Sequence, residues 1–145
     1  GDTAMIPVPI KDFRLADISP DHTQLMLISF AVTGAQDLPV WVLPLPAGSP
    51  RPLGNILSSS ASWSNDGKQL VFVKGEALYL ANADGSNPHL LAQPQGVPFL
   101  PRFSPDGTLV RFTLTQANTQ SLWEVHSDGS GLHRMLDGRQ NFSNE

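Results

Sequence analysis

Hydrophobic residues in this chain come in short runs broken by turn-formers. Apolar runs occupy residues 25–32, 70–73 and 109–114. In the last, Val110, Phe112 and Leu114 alternate with Arg111, Thr113 and Thr115. That period of two predicts a strand with one buried face. A Ser-x-Asp segment precedes each run. Ile18-Ser19-Pro20-Asp21-His22-Thr23-Gln24-Leu25 aligns with Trp63-Ser64-Asn65-Asp66-Gly67-Lys68-Gln69-Leu70. Both align with Phe103-Ser104-Pro105-Asp106-Gly107-Thr108-Leu109-Val110. Asp66 lies 45 residues beyond Asp21, and Asp106 lies 40 beyond Asp66.

A second half-motif repeats in step. Leu78-Tyr79-Leu80-Ala81-Asn82-Ala83-Asp84-Gly85-Ser86 parallels Leu122-Trp123-Glu124-Val125-His126-Ser127-Asp128-Gly129-Ser130. Val40-Trp41-Val42-Leu43 opens a looser first copy that runs one residue longer, to Ser49. The Asp-Gly pairs predict tight hairpins, because Gly takes positive φ without Cβ strain. A short run then ends the unit, as in His89-Leu90-Leu91 or His133-Arg134-Met135-Leu136. With the apolar residues before the Ser, each unit of about 40 residues holds four short strands, the blade of a β-propeller. The expected fold is all-β: four-stranded antiparallel blades, about three of them, in an incomplete ring.

The Ser-Pro-Asp-Gly segment predicts the first hairpin of each blade. Ser and Asp side chains accept from backbone N–H groups two residues on. Pro presets φ near −65° and Gly supplies the left-handed position. His22 occupies that Gly slot in the first copy. Either His22 takes an uncommon backbone or its turn is wider.

Ser-Pro-Asp-Gly, strand, aromatic strand and Asp-Gly-Ser together resemble the Pro-Asp repeat of TolB-like β-propellers, over about residues 18–136. Trp41-Val42-Leu43-Pro44-Leu45-Pro46 and residues 78–87 are similar to propeller regions of large bacterial proteins, notably from Acidobacteria. Those proteins often carry an N-terminal winged-helix DNA-binding domain. Nothing in this chain matches a winged helix. The resemblance implies a non-catalytic scaffold that binds a protein or peptide, as the sensor or interaction part of a larger bacterial protein. The alternative is the substrate-gating propeller of a prolyl-oligopeptidase-like serine hydrolase whose catalytic domain lies outside this chain.

The period places blade 1 at 13–57, blade 2 at 58–93 and blade 3 at 94–138. Residues 1–12, with Met5-Ile6-Pro7-Val8-Pro9-Ile10, read as the end of a preceding blade or a linker. Residues 139–145, with Asn141 and Phe142, read as the start of a linker to the next blade. Closed propellers have about four to eight blades. The chain is therefore expected to be an internal piece, cut at its Gly start. Two such arcs are expected to associate into a six-bladed ring, making the protein a homo-oligomer.

Composition narrows the function classes. The 12 Gly and 13 Pro exclude long helices. A net charge of −4, with only 9 scattered basic residues, disfavours nucleic-acid binding by this chain. The absence of Cys removes disulfides, thiol nucleophiles and cysteine-ligated metals, and fits a cytoplasmic or an extracytoplasmic location alike. No apolar segment approaches the ~20 residues of a membrane span, so no membrane insertion is expected.

Candidate chemistry is sparse. Ser64-Asn65-Asp66-Gly67 has the wrong register for a sialidase Asp-box. Gly129-Ser130-Gly131 lacks the spacing of a nucleophile elbow. His22, His89, His126 and His133 are the acid–base or metal candidates, and His126 and His133 could face each other across a hairpin. Asp84 and Asp128, with Asn82, Asn87 and Ser130, lack the distal Glu of a calcium loop. Trp41, Trp63 and Trp123, with Phe72, Tyr79, Phe103 and Phe112, recur with the repeat and read as packing between blades. Arg102, Arg111, Arg134 and Arg139 form the one local cationic group. No catalytic, cofactor-binding or metal site is assigned.

Overall fold

The structure is a computed structural model that describes residues 8, 10–30 and 34–137. The twelve strands form three four-stranded antiparallel sheets, each a meander in chain order. Blade 1 holds β1 (Phe13–Ile18), β2 (Gln24–Ser29), β3 (Leu38–Pro44) and β4 (Arg51–Ser58). Blade 2 holds β5 (Ser60–Trp63), β6 (Gln69–Lys74), β7 (Ala77–Asn82) and β8 (His89–Ala92). Blade 3 holds β9 (Val97–Phe103), β10 (Leu109–Gln116), β11 (Thr119–His126) and β12 (His133–Asp137). The ring is open. β2 stops at Ser29, short of the predicted residue 32; Ala31 and Val32 lie outside the described residues. So do Arg139, the linker at 139–145 and all of the segment 5–10 except Val8 and Ile10.

Blade stacking explains the two kinds of apolar run. Neighbouring strand residues point to opposite faces. In β6, Leu70 and Phe72 pack with Met26, Ile28, Val40 and Val42 of blade 1. Val71 and Val73 pack with Val110, Phe112 and Leu114 of blade 3. Blade 2 is covered on both faces, so residues 70–73 of β6 are all apolar and buried. In β10 the three apolar residues face blade 2, and the alternating Arg111, Thr113 and Thr115 point away from it.

The tryptophans divide between two places in the repeat. Trp63 ends β5, in the first strand, and is buried between blades 1 and 2. Trp41 and Trp123 lie in the third strands, with Tyr79 as their counterpart in blade 2. Trp123 packs toward blade 2 and Tyr79 toward blade 1, where its ring stacks on Phe72 with centroids 5.4 Å apart. Trp41 belongs to neither interblade core.

Candidate functional site

The Ser-x-Asp turns are built alike in all three blades. Ser19, Ser64 and Ser104 each donate Oγ–H to the Asp two residues on, at 2.8, 2.6 and 2.7 Å. Each Ser Oγ also accepts from the backbone N–H five residues on, at 3.0 Å, rather than the predicted two. The Asp carboxylate accepts from the N–H two residues on, as expected. His22 takes the uncommon backbone, φ 60°, and its N–H reaches Ser19 O at 2.9 Å, so its turn matches the other two. These bonds, with the Thr23 hydroxyl the largest cause at Asp21, hold the Asp21, Asp66 and Asp106 carboxyls below the usual carboxylate range. Asp106 falls to about 2, chiefly through the Ser104 hydroxyl.

The Asp-Gly-Ser turns use the same economy. Ser86 and Ser130 donate both N–H and Oγ–H to Asp84 and Asp128, at 2.9 and 2.6 Å in each turn. Those bonds lower both carboxyls, the seryl hydroxyl being the larger cause. Of the calcium-loop candidates, Asp84 and Asp128 are thus engaged in Asx-turns, and Asn82 Nδ2 donates to Ser86 Oγ at 2.9 Å. Ser130, the residue nearest a nucleophile elbow, is engaged there too. Gly85 and Gly129 also seat their turns on the preceding blade. A Cβ on Gly85 would lie 2.8 Å from Leu53 O, and one on Gly129 would lie 3.0 Å from Leu91 O.

The histidines do not converge. His22 and His89 stand exposed on different blades. His133 is in register with Glu124, not His126, and its Nε2 lies 3.4 Å from Glu124 Oε1. Among the described residues no three His, Asp or Glu side chains come together to hold a metal. Of the four arginines, Arg102 and Arg111 are directly opposed on one face of blade 3, while Arg134 is in register with Trp123 on the other face.

One cross-strand row compares the three blades. It reads Asp17–Met26–Val42–Arg51 in blade 1, Ser62–Val71–Leu80–His89 in blade 2 and Arg102–Arg111–Glu124–His133 in blade 3. The row faces the next blade. Its first member bonds forward: Asp17 Oδ2 accepts from Trp63 N at 2.8 Å, and Ser62 Oγ donates to Pro101 O at 2.7 Å. Its middle pair is apolar and buried in blades 1 and 2. In blade 3 the middle pair is Arg111 and Glu124, joined at 2.8 Å. Val97 and Leu122 are exposed on that same outward face.

The opposite end of the arc differs. The face of blade 1 turned from blade 2 carries Leu15, Leu27 and Trp41 in one row and Ile18, Leu25 and Leu43 in the next, with Leu27 and Leu43 buried and Leu25 and Trp41 half-buried. Phe13, Leu15 and Ile18 are 37%, 53% and 45% exposed. Periodicity showed this asymmetry in β10 but not in the other strands. Bulges at residues 15–17, 99–102 and 134–136 shift the register and hide which residues share a row.

Three stacked four-stranded meanders, wedged at their first strands, decide the fold. The chain is an arc of β-propeller blades. Its structural neighbours are TolB-like propellers. A chain from Agrobacterium tumefaciens described as a TolB shares 27% identity, with a TM-score of 0.69 over 83% of this chain and 45% of that one. TolB from Acinetobacter baumannii gives 17% and 0.70 over 90% of this chain and 33% of that one. A chain of the nidogen/laminin complex gives 12% and 0.71 over 86% of this chain and 47% of that one, a likeness of fold alone. In sequence, an uncharacterized protein of Agrobacterium fabrum is 30% identical over 125 residues. The arc spans 42% of that relative's length. No family model matches.

Proposed function

We propose that this arc is a non-catalytic interaction scaffold, the sensor or interaction part of a larger bacterial protein. Its modules are the units 13–57, 58–93 and 94–138. The observation that carries this reading is the apolar outward face of blade 1. Apolar surface rimmed by polar residues marks an association site, and Phe13, Leu15 and Ile18 project from this one. The partner it suits is a protein surface of apolar, strand-rich character. A photo-crosslinking side chain at Leu15 in the parent protein should capture one defined partner, and Phe13→Asp should abolish the capture without unfolding the chain. Scattered products that survive Phe13→Asp would sink the reading.

A second reading closes the ring with another copy. The arc spans 45% and 47% of two propeller chains it superposes on, so two arcs approximate one whole propeller. Blade 3 of each copy would then meet blade 1 of the other, giving six blades. Against it, the Arg111–Glu124 pair would press on Leu15, Leu25 and Trp41, which offer no compensating charge. Leu25→Asp on the blade 1 face should make a ring dimer fall to monomer; a dimer that keeps its mass rejects ring closure.

A further inference from the structure

We propose that the outer end of the junction between blades 1 and 2 is a binding site for a small aromatic carboxylate, one ring bearing one acid group. The second strands of blades 2 and 3 show why a site lies there. The face of β6 turned to blade 1 carries Leu70, Phe72 and Lys74. The matching face of β10, turned to blade 2, carries Val110, Phe112 and Leu114. Lys74 lies eight residues beyond Asp66, and Leu114 eight beyond Asp106. Lys74 therefore stands where blade 3 has leucine. Leu114 is fully buried and closes its junction. Lys74 is exposed at the end of β6, because an unpaired ammonium is costly to bury. A groove of about 140 Å³ is left open at its side.

The groove belongs to a junction between two blades that each have all four strands. Its lining residues lie within 55–88. A preceding blade would pack on the far face of blade 1, and a following one on the far face of blade 3. Neither would enter it. The walls select the ligand. Phe72 and Tyr79 are directly opposed in β6 and β7, and their rings stack at an interplanar angle of 17°. Ile56 and Leu57 of β4 line the groove with them, and so does Pro88. Such walls suit a third ring. An apolar cavity of about 150 Å³ holds one benzene, so this groove has room for one ring. Lys74 is the one charged side chain in the lining, and it makes no ion pair among the described residues. It calls for an anion. Asn55 adds a side-chain amide that can donate to the same carboxylate. The volume favours a free acid over a protein partner, since a stable protein interface covers about 800 Å² on each side.

Tyr79 is the single tyrosine of the chain, so its isotope-labelled ring gives one NMR signal from inside the site. Phenylacetate titrated into the full chain should move that signal along a saturable curve. Phenylacetamide has the same shape without the charge and should bind at least about tenfold more weakly. Acetate should leave the signal in place. Lys74→Gln should weaken phenylacetate binding at least about tenfold, and Lys74→Arg should preserve it. A response to phenylacetate that stays linear up to its solubility overturns the proposal. So does equal binding of phenylacetate and phenylacetamide, or undiminished binding by a folded Lys74→Gln chain. The amide comparison uses the unaltered sequence, so misfolding of a variant cannot imitate its result. Leu15 lies on the other face of blade 1, so this titration and the capture at Leu15 succeed or fail separately.

Discussion

Blade 2 and blade 3 share a motif, a strand count and a hairpin pattern, yet one row separates them. Blade 2 has Val71 and Leu80 where blade 3 has Arg111 and Glu124. Both pairs sit in the same two central strands and on the same face. In blade 2 that face is sealed by Val110, Phe112 and Leu114. In blade 3 no described strand covers it. The difference teaches that the repeat encodes how a blade folds, through its turns, separately from what it packs against, through one face.

Exchange across that comparison gives the largest expected effect. Val71→Arg puts an unpaired charge into the sealed face and should destabilise by more than about 4 kcal/mol in urea unfolding. A loss below about 1 kcal/mol would mean the junction is loose or wet. Phe112→Ala, on the blade 3 side of the same junction, should lose about 3–5 kcal/mol, because the ring is 2% exposed. Gly85→Ala should lose about 2–4 kcal/mol, from φ +86° together with the Cβ approach to Leu53 O. Gly107→Ala has a similar φ but nothing within 4 Å, and should cost less than Gly85→Ala. Equal losses would show that backbone strain alone, and not seating on the preceding blade, is at work.

Acid should act on the turns that the blades share. The folded carboxyls of Asp21, Asp66, Asp84, Asp106 and Asp128 lie below their unfolded values. Their contribution is present above the unfolded carboxylate range and is lost as pH falls through the folded values, toward about 2 for Asp106. Thermal midpoints should therefore drop between about pH 4 and 2, and less steeply in Asp106→Asn. The smallest effect belongs to the Arg111–Glu124 pair, whose arginine is half exposed: Arg111→Val with Glu124→Leu should change monomer stability by no more than about 1 kcal/mol. A loss as large as that of Phe112→Ala would erase the distinction between the two faces.

Much of the fold was legible in the sequence because turn chemistry is local. Ser19, Ser64 and Ser104 with their Asp partners need only a few consecutive residues to close a hairpin, and they announce it by spacing alone. The end faces were less legible. Arg111, Thr113 and Thr115 betray an uncovered side of β10, but Arg102, Glu124 and His133 join them only through pairing across bulged strands. The arginines at 102, 111, 134 and 139 read as one cluster along the chain. The register splits Arg102 and Arg111 from Arg134, because pleating sends neighbours to opposite faces. The tryptophans mislead in the same way: equal residue type concealed two different strand positions.

The turns at Gly85 and Gly129 have a mechanical consequence. Each rests against a carbonyl of the blade before it, while Asp17 and Ser62 bond forward from the first strands to the blade after. Every internal junction is therefore latched at two separated points. Two pins leave rotation only about the line through them, and the apolar core packed between the blades blocks it, so the angle from blade to blade is fixed. Whatever meets the ends of this arc must fit a rigid gauge; the arc will not flex to suit it.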